Sequence, residues 1–373
     1  MGRPPTGALG TFDAELCGKV KQLRKDNEGW GALMILVELE EEFSYAREKL
    51  PSASSVNRYL KQGGFIKPRA PAGKFPSKPC EKPKAVHELW EMDAQGATEV
   101  GGIGHQATIS MKDGLSKKHC MAFPVSVKNQ SSQPATSHYK WAFRLAFAES
   151  GMPQGVQVDK DSVFIENHSR SPFPSRLHLW LTALGVGLCF IEKAPPAQQA
   201  TVERSHQTME RQASRGKSFE NWQQFFQHCQ KRRRRMNEKF PSRSHGGRAP
   251  LQAFPGAAHS GRHYTVEKEH QLLDVQRIGT LLSEGKWYRV VSSGKMVSLG
   301  GQRYYLKDAV PKTQLQITFC KESNLLIFRN DKEHILDRLP LKGASLEELM
   351  ESDSILTLVA TYEKLSSSKD FPL

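Results

Sequence analysis

Three acidic residues offer the chemistry most open to argument in this chain. They are Asp93 at the end of Trp90-Glu91-Met92-Asp93, Asp159 after Val156-Gln157-Val158, and Glu203 in Ala200-Thr201-Val202-Glu203-Arg204-Ser205-His206. Carboxylates are hard oxygen ligands. Held on rigid strands and a helix, such a set can bind two divalent cations a few ångströms apart, which activate a nucleophile and stabilise the leaving oxygen at phosphorus. The substrate of that chemistry is a phosphodiester, and the charge balance agrees with one. The 53 Lys and Arg against 39 Asp and Glu leave a formal charge of +14, which favours a polyanion over a small acidic molecule. Each acid also has a plainer reading: either Asp as a solvated acid at a strand end, and Glu203 as a charge complementing a helix dipole. The elements between them decide.

Those elements are legible as periodicity and punctuation. Strands are expected around residues 90–93, 107–111 and 122–127, then an amphipathic helix over residues 139–149 stopped by Ser150-Gly151-Met152-Pro153, then a strand over residues 156–158 that ends at Asp159. A helix over residues 173–185 follows, with Leu177, Trp180, Leu181 and Leu184 on one face, then a strand over residues 187–191. The proline loop at residues 194–200 launches a helix near Thr201 that sets Glu203, His206, Gln207 and Glu210 on one face. This order is that of an RNase H-like α/β core, a mixed five-stranded sheet with helices on both faces. Ligands collect at the carboxyl ends of the central strands in such sheets, so Asp93 and Asp159 on adjacent strands could share a metal pair.

Nucleic-acid contacts are expected from two places. In the first 66 residues, an all-α stretch ends in Pro51-Ser52-Ala53-Ser54-Ser55-Val56-Asn57-Arg58-Tyr59-Leu60-Lys61-Gln62-Gly63-Gly64, with a serine cap and a glycine stop. Val56 and Leu60 would pack inward, leaving Ser54, Ser55, Asn57, Arg58 and Lys61 outward as a helix-turn-helix presents its recognition helix; an ordinary helical hairpin reads the same residues. The run Lys231-Arg232-Arg233-Arg234-Arg235 could displace counterions from a DNA backbone, or be a solvated helix face.

Residues 264–341 alternate apolar and polar positions in short runs, the pattern of a small all-β barrel whose aromatics are core more than stacking platforms, followed by a helix and polar tail. The longest apolar stretch, residues 177–191, is too short for a bilayer, and residues 1–16 have no hydrophobic signal core, so the chain is expected in the cytoplasm, with no membrane partner. The 6 cysteines are scattered without zinc spacing and are expected as reduced thiols.

On these residues the chain resembles a DDE-type transposase with an integrase catalytic core, of the bacterial insertion-sequence kind related to retroviral integrases. The resemblance runs through Trp90-Glu91-Met92-Asp93, the stretch Phe143-Arg144-Leu145-Ala146-Phe147-Ala148-Glu149-Ser150-Gly151-Met152-Pro153, Val158-Asp159-Lys160-Asp161-Ser162-Val163-Phe164, and the proline loop with Glu203. It covers residues 86–254, including Arg235-Met236-Asn237-Glu238-Lys239-Phe240-Pro241 and Ala249-Pro250-Leu251-Gln252-Ala253-Phe254. It implies a catalytic and metal-binding triad of Asp93, Asp159 and Glu203 holding two Mg²⁺ or Mn²⁺ ions, with Asp161, Arg204 and His206 as accessory groups. It implies a layout of helix-turn-helix domain (1–66), linker (67–84), catalytic core (85–254), linker (255–263), β-barrel (264–343) and C-terminal tail (344–373). The activity implied is DNA 3′-end cleavage and strand transfer in the bacterial cytoplasm, on transposon ends and target DNA, by a DNA-bound homo-oligomer that leaves room for an accessory ATPase. The family has Asn-Gly after its second aspartate and before its glutamate, where this chain has Lys160-Asp161 and Gln199-Ala200. Asp161 therefore competes with Asp159 as a ligand. A nuclease that cuts without joining, or a DNA-binding regulator with an inactive core, would use the same residues.

Overall fold

The computed structural model describes residues 7–66, 83–159, 161–166, 171–191, 208 and 210–350. The chain divides into two compact units, one of Met1–Lys82, Ala94–Pro134 and Ala194–Ala258, the other of Pro83–Asp93, Ala135–Lys193 and His259–Leu373. Strands β1 (Leu89–Val100), β2 (Gly104–Asp113), β3 (His119–Ser126), β4 (Gly155–Val158) and β5 (Gly187–Phe190) form one sheet in the order β3-β2-β1-β4-β5. The β2–β3 pair is antiparallel, and β4 runs parallel to both β1 and β5. A mixed five-stranded sheet is what the RNase H-like expectation called for. Parallel neighbours need a crossover, and helices α4 (Thr136–Ser150) and α5 (Arg176–Ala183) lie in sequence where the crossovers into β4 and β5 must be.

In the first unit, α1 (Ala14–Asp26), α2 (Ala32–Glu41) and α3 (Ala53–Gln62) close around Leu16, Val20, Trp30, Ile35, Leu36, Leu39, Val56 and Leu60. Asp13 caps α1 by accepting from the Leu16 amide at 2.6 Å, and Ser52 caps α3 by accepting from the Ser55 amide at 3.2 Å. Strand β3 ends the sheet order, and its free edge is sealed by α6 (Trp222–Glu238) rather than by another strand. Trp222 donates to the Pro124 carbonyl at 3.1 Å and Gln230 to the Ala122 carbonyl at 2.7 Å. Asn237 donates to the His119 carbonyl and accepts from its amide, at 2.9 and 2.8 Å. A buried edge without such partners would leave backbone groups unpaired.

In the second unit, Trp90 packs on Phe147 of α4, and Phe147 stacks on Trp180 of α5. Helix α7 (Val275–Ser283) leads into β6 (Lys286–Val290), β7 (Met296–Leu299), β8 (Gln302–Tyr305), β9 (Gln314–Cys320), β10 (Leu325–Arg329) and β11 (Ile335–Pro340). They pair as a four-stranded sheet, β11-β10-β9-β6, and a hairpin, β7-β8. Among the described residues these ladders do not close into a ring. The hairpin turns on Gly300 and Gly301, both at positive φ, as a two-residue loop between right-twisted strands requires. Trp287, Tyr304, Phe319 and Phe328 are buried, as expected of core aromatics, while Tyr288 and Tyr305 are exposed.

Candidate active site

Strand β1 and strand β4 are in parallel register, with Leu89 opposite Gly155, Trp90 opposite Val156 and Glu91 opposite Gln157. That register ends at Glu91 opposite Gln157; two residues further along each chain stand Asp93, inside β1, and Asp159, just past the last residue of β4. Alternation then fixes the face. Trp90, Met92, Val156 and Val158 are buried on one side of the two strands, so Glu91, Gln157 and both aspartates share the other. The two acids, 66 positions apart in sequence (159 − 93), thus both follow the paired stretch of β1 and β4 within the second unit, and the charge of each reaches Tyr139.

Asp159 is perturbed by burial first and by a like charge second. The protein around Asp159, and then the neighbouring Asp161 carboxylate, push the Asp159 carboxyl above its ordinary pKa. Tyr139, on the first turns of α4, is buried at 4 % exposure with its ring edge against Phe164. Burial, and then the charges of Asp161, Asp159 and Asp93, raise its phenol well above the usual tyrosine range. The hydroxyl thus lies in the field of all three acids and stays protonated. Sequence reading gave Tyr139 only as a helix start. An aromatic with a polar tip beside an expected site was the available signal.

Asp161 has a duty of its own. Its Oδ1 accepts from the Val163 amide at 3.0 Å and from the Ser162 hydroxyl at 3.1 Å, closing the turn that follows β4. That turn is held further on by Arg289 of β6, which reaches Glu166 at 2.8 Å. Glu203, Arg204 and His206 lie outside the described residues, as does Lys160. Among the described residues no group of three or more His, Cys, Asp or Glu side chains is arranged to hold a metal ion.

On the expected DNA-binding face, α3 buries Val56 and Leu60 and leaves Ser54, Asn57, Arg58 and Lys61 exposed, with Ser55 half-buried beside the Ser52 cap. The basic run requires a correction. Arg233 has no exposed surface and donates to the His119 and Cys120 carbonyls at the β3 edge, at 3.0 and 3.2 Å. Arg232, 3 % exposed, pairs with Glu38 of α2 at 2.5 Å, and Arg235 reaches the same carboxylate at 3.0 Å. Arg232 also lies over the Trp30 ring. Five adjacent positions on a helix point in all directions, and α6 is buried against β3 on one side and α2 on another, so the run is not one solvated face. Lys231 is the member that stays open to solvent, with a long 3.8 Å contact to Glu42. Arg234 is half-buried.

No family model matches the chain. Among solved structures it is similar to a chain of the simian T-cell lymphotropic virus intasome in complex with PP2A regulatory subunit B56 gamma, at 10% identity over 82% of this chain and 99% of that one, TM-score 0.36. It is also similar to the HTLV-2 integrase catalytic core domain in complex with magnesium, trimeric form, at 12% identity over 45% of this chain and 95% of that one, TM-score 0.32. The fold itself rests on the strand order and pairing of this chain.

Proposed function

We propose that this chain is a DNA transposase that binds the ends of a mobile element, frees a 3′-hydroxyl there by hydrolysis, and joins that hydroxyl to target DNA. The observation that supports the reading most is the parallel register of β1 and β4, after whose paired stretch Asp93 and Asp159 both follow. A divalent cation fits these residues: the donors are hard oxygens, and the Asp159 carboxylate is disfavoured by burial first and by the Asp161 charge second, both of which a cation would offset. Asp93 and Asp159 would hold Mg²⁺ or Mn²⁺, with Glu203 as the third ligand that the family resemblance supplies. Bound there, such ions lower the pKa of water and act as Lewis acids at phosphorus.

The chain's own groups do the positioning. The strand pair fixes the two carboxylates, the turn closed by Asp161 shapes the strand end, and Tyr139 walls the site as a neutral phenol that adds no charge. In the first step a water oxygen forms a bond to phosphorus as the 3′ oxygen leaves with a proton. In the second, that 3′ oxygen attacks a target phosphodiester in line and displaces a target 3′ oxygen, so no covalent protein intermediate is needed. The exposed face of α3 would read the element end, and pairing two ends calls for an oligomer. The metal claim is tested by thermal unfolding of the full chain with and without Mn²⁺. Saturation a hundredfold above Kd should add about 2.7 kcal/mol of stability, and Asp93→Asn and Asp159→Asn should abolish the gain. An equal gain in all three proteins would place the ion elsewhere.

A further inference from the structure

A cleft of about 770 Å³ opens within the first unit, walled by the end of α1 and the turn after it, by α3 and the turn after it, and by the segment before α6. Its polar lining is one-sided: Arg24, Lys25, Arg211 and Arg215 face the single carboxylate Glu28. Arg24 is anchored, donating through Nη1 to the Trp30 carbonyl at 2.7 Å and through Nη2 to the Phe65 carbonyl at 2.9 Å. The segment bearing Arg211 is pressed against the opposite turn, where a Cβ on Gly29 would stand 2.5 Å from the Arg211 Cβ. Among the described residues, neither Arg211 nor Arg215 has a side-chain hydrogen bond or ion pair. Their charges still reach Arg24: its proton affinity is lowered by burial first, with Glu28 opposing, and then by Arg215 and Arg211. Two other arginines of this unit, Arg232 and Arg235, are by contrast matched to Glu38.

Cations gathered around a rigid cleft without matching carboxylates call for an anion from outside. Asn57 both lines the cleft and stands on the exposed face of α3, so a ligand that reaches these cations also runs past that helix, as a nucleic-acid strand would. We infer that Arg24, Arg211 and Arg215 grip the phosphodiester backbone of duplex DNA whose groove faces α3. Backbone contacts of this kind fix position while base contacts specify. The inference rests on the proposal that the chain binds DNA, and names a contact that the recognition helix does not supply.

The test is fluorescence anisotropy of a labelled random-sequence duplex with the full chain across a salt series, comparing wild type with Arg211→Ala/Arg215→Ala. Arg24 is left in place because its two bonds build the wall. Losing two phosphate contacts should flatten the slope of log K against log salt by about 2, with an affinity loss on the order of tenfold near physiological salt. Arg211→Lys/Arg215→Lys should restore the slope. Lys332→Ala/Arg338→Ala, which removes the same charge from the other unit, should leave it unchanged. If the alanine pair melts lower than wild type, Arg215→Glu at an exposed turn position is read the same way, and there the loss should exceed that of Arg215→Ala. An unchanged slope with wild type still binding overturns the cleft and spares the DNA-binding reading, as does an equal loss in the control pair. A wild type that binds no duplex at any salt overturns both.

Discussion

Glu269→Gln is the sharpest test of how the second unit holds its shape. Glu269 has no exposed surface and accepts from Arg144 Nε and Nη2 at 2.7 Å each, from Trp180 Nε1 at 2.9 Å and from the Tyr264 hydroxyl. It thereby ties α4 and α5 to the chain that follows the sheet. Burial pushes its carboxyl up, but the Arg144 bond and charge, then the bonds from Tyr264 and Trp180, leave it net below the ordinary range. Glutamine keeps the shape and removes the charge, so the Arg144 guanidinium, 3% exposed, is left buried without its counter-ion. Breaking one side of such a pair costs about 3–5 kcal/mol, a large share of the roughly 5–15 kcal/mol that holds a domain folded. Urea unfolding followed by tryptophan fluorescence at neutral pH measures it. Arg144→Met/Glu269→Leu removes both charges and should lose about 2 kcal/mol less than the single variant, because apolar replacement of a whole pair is far less costly than leaving one charge behind. A single-variant loss below about 1 kcal/mol, or a double variant as unstable as the single, would refute the reasoning.

Three further outcomes follow from particular contacts. Arg232→Ala and Arg233→Ala should each destabilise the protein by about 1–3 kcal/mol in the same unfolding assay, because each strips a buried acceptor of a donor, whereas Lys231→Ala should stay within about 0.5 kcal/mol of wild type; a stable Arg233→Ala with weakened DNA binding would return the run to the surface role. His178, buried with its pKa lowered to about 4, is protonated in the unfolded chain before the folded one. Its contribution is therefore present above the unfolded pKa of about 6.5 and lost as pH falls toward 4, by about 2 kcal/mol at pH 5. Melting temperatures at pH 7 and 5 should diverge less in His178→Gln than in wild type, and an equal divergence would remove His178 as the cause. Asp161→Asn keeps the acceptor for the Val163 amide and should retain strand transfer within a few fold. A loss as deep as that of Asp159→Asn would make Asp161 the ligand.

The parts of the fold that the sequence announced are those with one buried face. Val156-Gln157-Val158 and the residues 139–149 alternate or repeat cleanly, and they appear as β4 and within α4. Strand β1 was expected only over residues 90–93 but runs on to Val100, because Ala94-Gln95-Gly96-Ala97-Thr98-Glu99 carries little apolar signal and is extended by its place in the sheet. The basic run misled because composition counts charges without their partners: Glu38 and the β3 carbonyls that engage Arg232 and Arg233 lie more than 100 residues away. Asp159 was legible as the residue that follows β4, whereas Asp93 lies inside β1 and its relation to Asp159 comes from the parallel register, which alternation alone does not fix. Tyr139 was not legible, since its place in their field depends on how α4 crosses the sheet.

The central claim is tested most directly by a strand-transfer assay with Mg²⁺ on labelled duplexes carrying the element's terminal sequences, run with wild type, Asp93→Asn, Asp159→Asn and Glu203→Gln. Joined products from wild type alone, with all four proteins still binding the duplex, are the predicted result. Cleavage without joining would make the chain a nuclease. Joining that survives in Asp93→Asn or Asp159→Asn would contradict the account, because the chemistry would then lie away from the strand pair on which it is built.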